Sequence, residues 1–466
     1  MSNTKKMLAL FLSLVMVIVA LPLANFNSFA SDSTDFSYEV ISETDKTAEL
    51  TGYSGNGGDV VIPSDINGYT VISLGETAFE EADTITSLTL PDSIQEVSPV
   101  ALVGCTSATQ FIVSANSQYF STSDGVLFDK DKTQLIKYPC GKEDSTYTVP
   151  GTVSVIGPMA FALCGYLTEV TLPVNLEQII DYAFAYCQSL ESITIPNSVV
   201  YLGSYAFNYC SSLASVTLSE SMQSIGENTF EGCSSLQSIY IPQSITEIGG
   251  YAFVECEGLT TVTGMEGVES LGDRVFVYCS SLSSVSLGSS LTSVGDVVFG
   301  ACASLKSVTI PSSLSQIGEY MFESCSSLEE VVITEGVTSI SSCAFRNCYN
   351  LTSITIPASV ESIQSNAFDN SGLSTIYGYE GTCAQTFANE KGVTFVELLD
   401  PDAVLGDLDR SGSVDNTDFD IMMQAAVGSV NLTNTQKLLA DINGDGVIDG
   451  FDVAALDRSV AENSNG

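Results

Sequence analysis

Residues 190–210 read LESITIPNSVVYLGSYAFNYC, and this stretch decides the fold. Ile193 and Ile195 alternate with polar residues, which is the period of a strand that buries one face. Pro196 ends that strand because proline has no N–H to donate to a neighbouring strand. A turn that contains glycine follows, and Phe207 then anchors the returning chain in a core.

This stretch is one copy of a repeat of 23 residues. Ten phenylalanines share that spacing: Phe161, Phe184, Phe207, Phe230, Phe253, Phe276, Phe299, Phe322, Phe345 and Phe368. A cysteine follows each of the first nine by three residues, and a leucine follows each cysteine by three more. One unit is too small to bury its own apolar face, so neighbouring units must stack into a continuous core. The sequence therefore predicts a repeat solenoid over residues 31–399, with one short parallel β-strand per coil.

Three segments of the solenoid depart from the repeat. Residues 31–60 are polar and atypical, and we interpret them as an N-terminal cap. Near residues 112–148 an insertion carries Gly-Val-Leu-Phe at 125–128 and a second apolar run at 135–138, which together predict a hairpin. After Phe368 the pattern decays towards a C-terminal cap that ends near residue 399.

The composition excludes several classes of function. The chain has 14 Lys and Arg against 56 Asp and Glu, and its net charge of −42 repels nucleic acid and anionic membranes. It contains no histidine, which excludes Ser-His-Asp and Cys-His catalysis and every histidine-ligated metal site. Carboxylate chemistry, an oxygen-ligated metal or a non-catalytic role remain, and we assign no catalytic residue.

The N-terminal segment, residues 1–30, has the pattern of a secretory signal peptide. Lys5 and Lys6 precede an apolar run over residues 7–23, and small residues lead to a cleavage site after Ala30. A retained membrane anchor is the alternative, but the run is shorter than the ~20 residues of a span. We therefore expect an extracellular, secreted protein without a membrane span in its mature chain.

The solenoid resembles a known family. Its repeated I-G-x-x-A-F-x-x-C-x-x-L core and its G-V-L-F insertion are similar to the leucine-rich repeats of bacterial surface proteins, over about residues 35–399. The resemblance implies a non-catalytic scaffold of the kind that often serves in adhesion to host, cell or protein surfaces. It does not identify the ligand.

Nine of the 13 cysteines occupy one fixed position of the repeat. Side chains that run parallel along such a column keep their Cβ atoms about 4.8 Å apart, which is longer than the usual ~3.8 Å of a disulfide. We therefore expect buried thiols that pack as small hydrophobic groups. Cys140, Cys343 and Cys383 lie off the column, and the sequence assigns them no role.

The composition becomes strongly acidic after a predicted linker at 400–404. The acidic segment, 405–466, contains two loops, at 407–418 and at 441–452, in which oxygen-bearing residues have the same spacing. Side-chain or backbone oxygens at positions 1, 3, 5, 7, 9 and 12 are the set that wraps around Ca²⁺. The first loop offers Asp407, Asp409, Ser411, Ser413, Asp415 and Asp418. The second loop offers Asp441, Asn443, Asp445, Val447, Asp449 and Asp452. The sequence therefore predicts two Ca²⁺ ions and, because each loop holds four carboxylates, folding that depends on the metal.

Each loop precedes an amphipathic helix, and this duplicated segment resembles a type I dockerin over about residues 404–461. The resemblance implies calcium-dependent binding to a cohesin module of a scaffoldin, and hence attachment to a cellulosome. Its cohesin contacts map onto Asn416, Thr417, Met423 and Gln424 in the first copy and onto Gly450, Phe451, Asp457 and Arg458 in the second. The two copies differ at these positions, which leaves the cohesin class and the binding orientation open.

These features favour a non-catalytic cellulosome component whose solenoid presents a face to a protein, a cell surface or plant cell-wall polysaccharide. The alternative is a carbohydrate-active enzyme of the glycoside hydrolase type, which needs two carboxylates about 5–10 Å apart. Four acids lie at outward strand positions: Glu169, Glu191, Glu329 and Glu330. Two tyrosine columns could instead stack on sugars or pack half-buried: Tyr186, Tyr209 and Tyr278, and Tyr182, Tyr205, Tyr251 and Tyr320.

Overall fold

The computed structural model describes residues 33–399 and 403–463. The predicted signal peptide, residues 1–30, lies outside the described residues, as do residues 400–402 of the predicted linker. Within the described parts of the chain, no helix is long and apolar enough to cross a membrane.

The N-terminal part of the solenoid is an irregular set of strands. It comprises β1 (Phe36–Ser42), β2 (Thr47–Tyr53), β3 (Gly58–Val61), β4 (Asp65–Ile66), β5 (Tyr69–Leu74), β6 (Ile85–Leu90), β7 (Glu96–Val97) and β8 (Gln110–Val113). β1 pairs antiparallel with β2, and β2 pairs parallel with β5. The β1–β2 hairpin therefore covers the first end of the parallel stack, as a capping unit must.

The insertion forms an antiparallel meander of β9 (Phe120–Ser123), β10 (Val126–Asp129) and β11 (Gln134–Lys137). β11 returns to the stack by pairing in parallel with the strand at Val155–Ile156. In this pair Leu135 lies opposite Ile156, so the paired residues are 21 positions apart in the sequence, whereas the repeat has 23. The buried Lys137 Nζ donates to the carbonyl oxygens of Met159 and Ala162, each at 3.1 Å. These bonds satisfy backbone groups that face the interruption in the repeat.

The regular part of the solenoid contains two short strands per turn. The first strands are β12 (Thr146–Thr148), β14 (Glu169–Thr171), β16 (Ser192–Thr194), β18 (Ser215–Thr217), β20 (Ser238–Tyr240), β22 (Thr261–Thr263), β24 (Ser284–Val285), β26 (Ser307–Ile310), β28 (Glu330–Ile333), β30 (Ser353–Thr355) and β32 (Thr375–Gly378). The second strands are β13 (Val155–Ile156), β15 (Gln178–Ile179), β17 (Tyr201–Leu202), β19 (Ser224–Ile225), β21 (Glu247–Ile248), β23 (Ser270–Leu271), β25 (Ser293–Val294), β27 (Gln316–Ile317), β29 (Ser339–Ile340) and β31 (Ser362–Ile363). A 3₁₀ helix precedes β1 at Ser33–Asp35, and another lies at Met265–Gly267.

Most strands of both series pair in parallel with the preceding turn at the repeat spacing, so that Ile193 lies opposite Val216 and Ile179 opposite Leu202. The pairing is interrupted between β18 and β20 in the first series, and between β17 and β19 and between β25 and β27 in the second. The predicted parallel solenoid is confirmed, and each turn has one strand more than the sequence analysis expected. The second strand has two residues, which is too short for an alternating pattern to be visible. The last end is covered by β33 (Thr394–Glu397), which pairs with β32, and by helix α1 (Cys383–Lys391).

Two columns of side chains fill the core. The phenylalanine rings from Phe161 to Phe368 stack on one another almost in parallel, with consecutive centroids 4.7–5.5 Å apart. Each column cysteine from Cys187 to Cys348 directs its thiol at the carbonyl oxygen of the phenylalanine 26 residues earlier, at 3.1–3.2 Å. A protonated thiol supplies this donor, which gives a physical reason for free cysteines in the column.

The column is not made entirely of thiols. Cys164, its first member among the regular turns, forms a disulfide with Cys140, and their Cα atoms are 4.3 Å apart. The expectation of thiols throughout is therefore wrong at this position, and Cys140 has a structural role. The two residues are 24 positions apart in the sequence, whereas neighbouring members of the regular column are 23 apart, so Cys140 does not follow the register of the column.

The C-terminal region is a small all-helical unit with α2 (Asn416–Ala426), α3 (Asn434–Ala440) and α4 (Gly450–Asn463). α2 and α3 begin with capping boxes, in which Asp415 pairs with Asp418 and Thr433 with Gln436. A separate apolar core, which includes Met422, Leu439, Leu456 and Val460, holds the helices together. The predicted arrangement of two loop–helix repeats is confirmed.

Candidate calcium and partner-binding sites

The first acidic loop folds around Asp418, the last residue of the predicted ligand set. Its carboxylate is fully buried and accepts hydrogen bonds from the backbone N–H groups of Leu408 (2.7 Å), Asp409 (2.9 Å) and Asp415 (2.9 Å). Asp407, at the start of the loop, accepts from the N–H groups of Ser411 (3.0 Å) and Gly412 (2.8 Å). Gly412 has φ +87°, which is the left-handed conformation that the sharp turn at position 6 requires.

The second loop repeats this pattern at the equivalent positions. Asp452 accepts from the N–H groups of Ile442 (2.9 Å), Asn443 (3.2 Å) and Asp449 (2.9 Å) and is also fully buried. Asp441 accepts from Asp445 and Gly446, as Asp407 does from its own counterparts. The two loops therefore have one backbone design in spite of their different side chains.

The structure brings the predicted ligands together to different degrees. Asp407, Asp409 and Asp418 each place a carboxylate oxygen within 4.8 Å of the others, and they form the single such trio of acidic or cysteine side chains among the described residues. The Ser411 hydroxyl lies 3.2 Å from the Ser413 carbonyl oxygen, while Asp415 caps α2. In the second loop Asn443 contacts Asp445 at 3.0 Å, and Val447 and Asp449 are exposed at the loop surface.

The charge of these loops fits a divalent cation. Burial by itself raises the pKa of the Asp452 carboxyl. Hydrogen bonds from the backbone N–H groups of Asp449, Asn443 and Ile442 have the larger, opposite effect, so the pKa of Asp452 lies below its ordinary value. A buried, ionised carboxylate costs several kcal/mol unless an opposite charge compensates it. None of the ion pairs between described side chains involves Asp407, Asp418 or Asp452. Carboxylate, hydroxyl and carbonyl oxygens are the donors that Ca²⁺ prefers, so the residues present fit that ion.

The eight residues that the sequence analysis predicts as cohesin contacts are all exposed. They are Asn416, Thr417, Met423, Gln424, Gly450, Phe451, Asp457 and Arg458. All of them belong to α2 or α4, which pack against each other. The structure thus places both copies on two neighbouring helices, where one partner can reach them.

A contact between the solenoid and the helical unit was not foreseen from the sequence. Glu380, just before α1, accepts hydrogen bonds from Arg410 Nη2 at 2.6 Å and from Thr435 Oγ1 at 2.8 Å. A cavity of about 320 Å³ beside this contact is lined by Glu397, Asp407 and other residues of both parts. The one available signal was Arg410 itself, a charged residue at a loop position where the second copy has Gly444.

The candidate residues on the solenoid differ in their exposure. Glu169, Glu191, Glu329 and Glu330 are all exposed. Tyr182 is buried and stacks on Tyr205, with ring centroids 4.5 Å apart. All seven column tyrosines have positive φ values, between 52° and 62°. Stacked rings in this half-buried setting favour a packing role, whereas the exposed Tyr251 and Tyr278 keep the sugar-binding interpretation open.

Comparison with known proteins defines both parts of the molecule. The fold defines the class of protein as a leucine-rich repeat solenoid joined to a small helical module with two acidic loops. Two family models match the chain, one for a BspA type leucine rich repeat region and one for a dockerin type I domain. The repeat model matches in six copies, over residues 61–139, 138–260 and 246–375, and the dockerin model over residues 405–461. The chain belongs to the BspA type leucine-rich repeat family and ends in a type I dockerin domain.

Two solved bacterial structures illustrate the similarity. A leucine-rich repeat protein from Bacteroides ovatus is 23% identical, with a TM-score of 0.46, and the match covers 80% of this chain and 100% of that one. A leucine rich cell surface protein from Faecalibacterium prausnitzii is 26% identical, with a TM-score of 0.44, over 82% of this chain and 100% of that one. None of the curated proteins matches the chain.

Proposed function

We propose that this protein is a secreted, non-catalytic component of a cellulosome, attached through its dockerin to a cohesin of a scaffoldin. The observation that carries the proposal is the type I dockerin match over residues 405–461, together with two loops that share one hydrogen-bonding design. Dockerins are typical of extracellular cellulosome components. The sequence pattern of residues 1–30 supports export.

The predicted ligand sets of the two loops would each hold one Ca²⁺, which supplies the positive charge that the carboxylates need. Asp418 and Asp452 connect each loop to the helix that follows, since their carboxylates hold backbone N–H groups at the start of the loop. Asn416 and Thr417, and likewise Gly450 and Phe451, lie directly between the last two ligands of their loops. The shape of the cohesin-binding surface therefore depends on the folded loops.

The solenoid would present a ligand-binding face to a cell wall, a cell surface or another protein. A row of hydroxyl side chains supports this role, because it recurs in register on the first strands or directly after them. Every member is exposed: Thr171, Thr194, Thr217, Thr263, Ser286, Thr309 and Thr355. Threonine also favours strands on its own account, so the row by itself does not select a ligand.

The dockerin proposal is tested with the full chain and a panel of purified type I cohesin modules. Wild type should bind at least one cohesin in Ca²⁺, and the double variant Asp418→Ala and Asp452→Ala should lose this binding. Asp420→Ala is the matched control, because Asp420 is an exposed acid on α2 outside the ligand set. Binding by the double variant equal to wild type would refute a calcium-dependent dockerin.

The role of the solenoid is tested by co-sedimentation of the full chain with washed, insoluble plant cell wall, with reducing sugar followed in the supernatant. Retention without sugar release would support a targeting module for polysaccharide. Sugar release would refute the non-catalytic assignment and favour the glycoside hydrolase alternative. A chain that stays in solution and releases no sugar would direct the search to protein and cell-surface ligands.

A further inference from the structure

A group of tyrosine and glutamate side chains lies on the loops that follow β17, β19 and β21 of the solenoid. The Tyr209 hydroxyl donates a hydrogen bond to Glu255 Oε2 at 3.3 Å, although the two residues are two repeats apart. Glu231, in the turn between them, accepts hydrogen bonds from Asn208 Nδ2 at 2.9 Å and from Asn228 Nδ2 at 2.6 Å. Tyr209, Glu231 and Glu255 are each half-buried, and we name these three side chains the tyrosine–glutamate site.

A glycine allows the two ends of this site to meet. Gly232 stands at the repeat position that Tyr209 has in the preceding turn, and a Cβ atom on Gly232 would lie 2.4 Å from Tyr209 Cδ1. The ring of Tyr209 stacks on Tyr186, with centroids 5.3 Å apart, and leans over the backbone of the next turn. Any side chain at position 232 would push the Tyr209 hydroxyl away from Glu255.

The tyrosine–glutamate site carries negative charge without a compensating cation. None of the ion pairs between described side chains involves Glu231 or Glu255. Burial raises the pKa of the Glu231 carboxyl and the charge of Glu255 raises it further, although hydrogen bonds from asparagine and tyrosine side chains oppose this shift. Arg274, in the next turn, lies instead over the ring of Tyr251, 5.7 Å from its centroid. A positive charge placed beside the two carboxylates would therefore be stabilised.

Another turn of the same solenoid holds a cation in an equivalent setting. Glu323 lies four repeats after Glu231, and both directly follow a phenylalanine of the column. Glu323 accepts a hydrogen bond from Arg346 Nε at 2.8 Å and forms an ion pair with the same guanidinium group. This guanidinium also lies over the ring of Tyr320, 5.1 Å from its centroid. Guanidinium groups suit such a setting because they are planar, donate to carboxylates in a fork and stack on aromatic rings.

The two turns differ in the residue that follows the glutamate one repeat later. It is Arg346 after Glu323, but Val254 after Glu231. Val254 is apolar and buried, so the chain supplies no cation at this position of the tyrosine–glutamate site. A guanidinium group from outside the chain would complete the arrangement that Arg346 completes from within it.

We propose that the tyrosine–glutamate site binds an arginine side chain of a partner protein, whose guanidinium group contacts Glu231 and Glu255 as that of Arg346 contacts Glu323. This inference rests on the proposed function, in which the solenoid presents a ligand-binding face, and it assigns the ligand to the class of proteins with a basic surface. Such a surface is complementary to the net charge of −42, which also accelerates the encounter of the two proteins.

The test titrates the full chain with a short, fluorescently labelled peptide of alternating glycine and arginine, and fluorescence anisotropy at physiological ionic strength gives the Kd. The double variant Glu231→Gln and Glu255→Gln should raise this Kd about tenfold. The matched double variant Glu329→Gln and Glu330→Gln removes the same charge from exposed acids of another turn and should change the Kd less than about twofold. A peptide with citrulline in place of arginine keeps the shape without the charge and should not bind.

Val254→Arg tests the comparison with Arg346 directly. It introduces an arginine of the chain at the repeat position of Arg346, and its guanidinium group should occupy the site and abolish peptide binding. Far-UV circular dichroism of every variant controls for folding, which matters here because Val254 is buried. The glutamine variants, at half-buried positions, keep the test decisive if Val254→Arg does not fold.

Several results would overturn the inference. Equal losses in both double variants would show that only the net charge attracts the peptide. Undiminished binding to a folded Val254→Arg, or binding of the citrulline peptide with the same Kd, would refute the role of the guanidinium group. A wild-type chain that binds a cohesin or plant cell wall but no arginine peptide would refute this inference alone, whereas peptide binding without cohesin binding would support it and refute only the proposed attachment.

Discussion

The thiol column makes a prediction that needs no substitution. The protein has 11 free cysteines, of which all but Cys383 are buried. Burial raises the pKa of the Cys348 thiol from 9.0 to about 12 and that of Cys105 likewise to about 12. At about pH 8 the thiolate fraction of such a group falls from roughly 10% to roughly 0.01%, about 1000-fold, and the thiolate is the form that reacts.

The assay counts the thiols that react with an aromatic disulfide reagent, first in native buffer and then in guanidinium chloride. We expect one thiol to react in the native protein and all 11 free cysteines to react after denaturation. Cys383→Ser is the matched control, since it should abolish the native reaction and lower the denatured count by one. Several reactive thiols in native buffer would contradict the buried column. A denatured count well below 11 would show disulfides along the column and refute the reasoning from the thiol–carbonyl hydrogen bonds.

Three further predictions concern buried or paired charges. Burial lowers the pKa of Lys137 from 10.5 to about 8, so the unfolded chain binds one more proton between these values. Wild type and Lys137→Met are compared by urea denaturation, and the difference between their free energies of unfolding should rise by about 3 kcal/mol in favour of wild type from pH 8 to pH 10.5. The buried thiols titrate in the opposite sense, but they are present in both proteins and cancel in this difference. Glu380→Gln removes the charge opposite Arg410. Because this ion pair is partly exposed, the substitution should lower the free energy of unfolding of the helical unit by less than about 1 kcal/mol, and high salt should abolish the effect. Asp452→Asn would turn an NH₂ group towards a backbone N–H that the carboxylate now accepts from. The calcium stoichiometry measured by calorimetry should therefore fall from two ions to one. An unchanged stoichiometry would contradict the assigned ligands.

The features that were predictable from the sequence are those encoded over short distances. The repeat is visible because Phe, Cys and Leu recur at one spacing, and stacking follows from the size of the unit. The calcium loops are visible because each proposed ligand set lies within one short loop, 407–418 or 441–452, so their geometry is nearly local. For the same reason the two loop–helix units were predicted with their order correct.

The features that escaped the sequence analysis depend on contacts between distant segments. The Cys140–Cys164 disulfide joins the end of the insertion to the first regular turn, and Cys140 does not lie in the register of the repeat. The contact between Glu380 and Arg410 joins two separate cores, and neither residue belongs to the core of the repeat or to a predicted set of calcium ligands. The second strand of each turn has only two residues, such as Gln178 and Ile179, so its conformation is set by the neighbouring turns.

We propose above that residues 405–461 attach this chain to a cohesin through calcium. The most direct measurement titrates the full chain against a panel of type I cohesin modules in Ca²⁺, then after removal of Ca²⁺ with EDTA, and again after Ca²⁺ is restored. We expect saturable binding with one cohesin per chain, which disappears in EDTA and returns with Ca²⁺. Binding that persists in EDTA, or no binding to any cohesin of the panel, would contradict it.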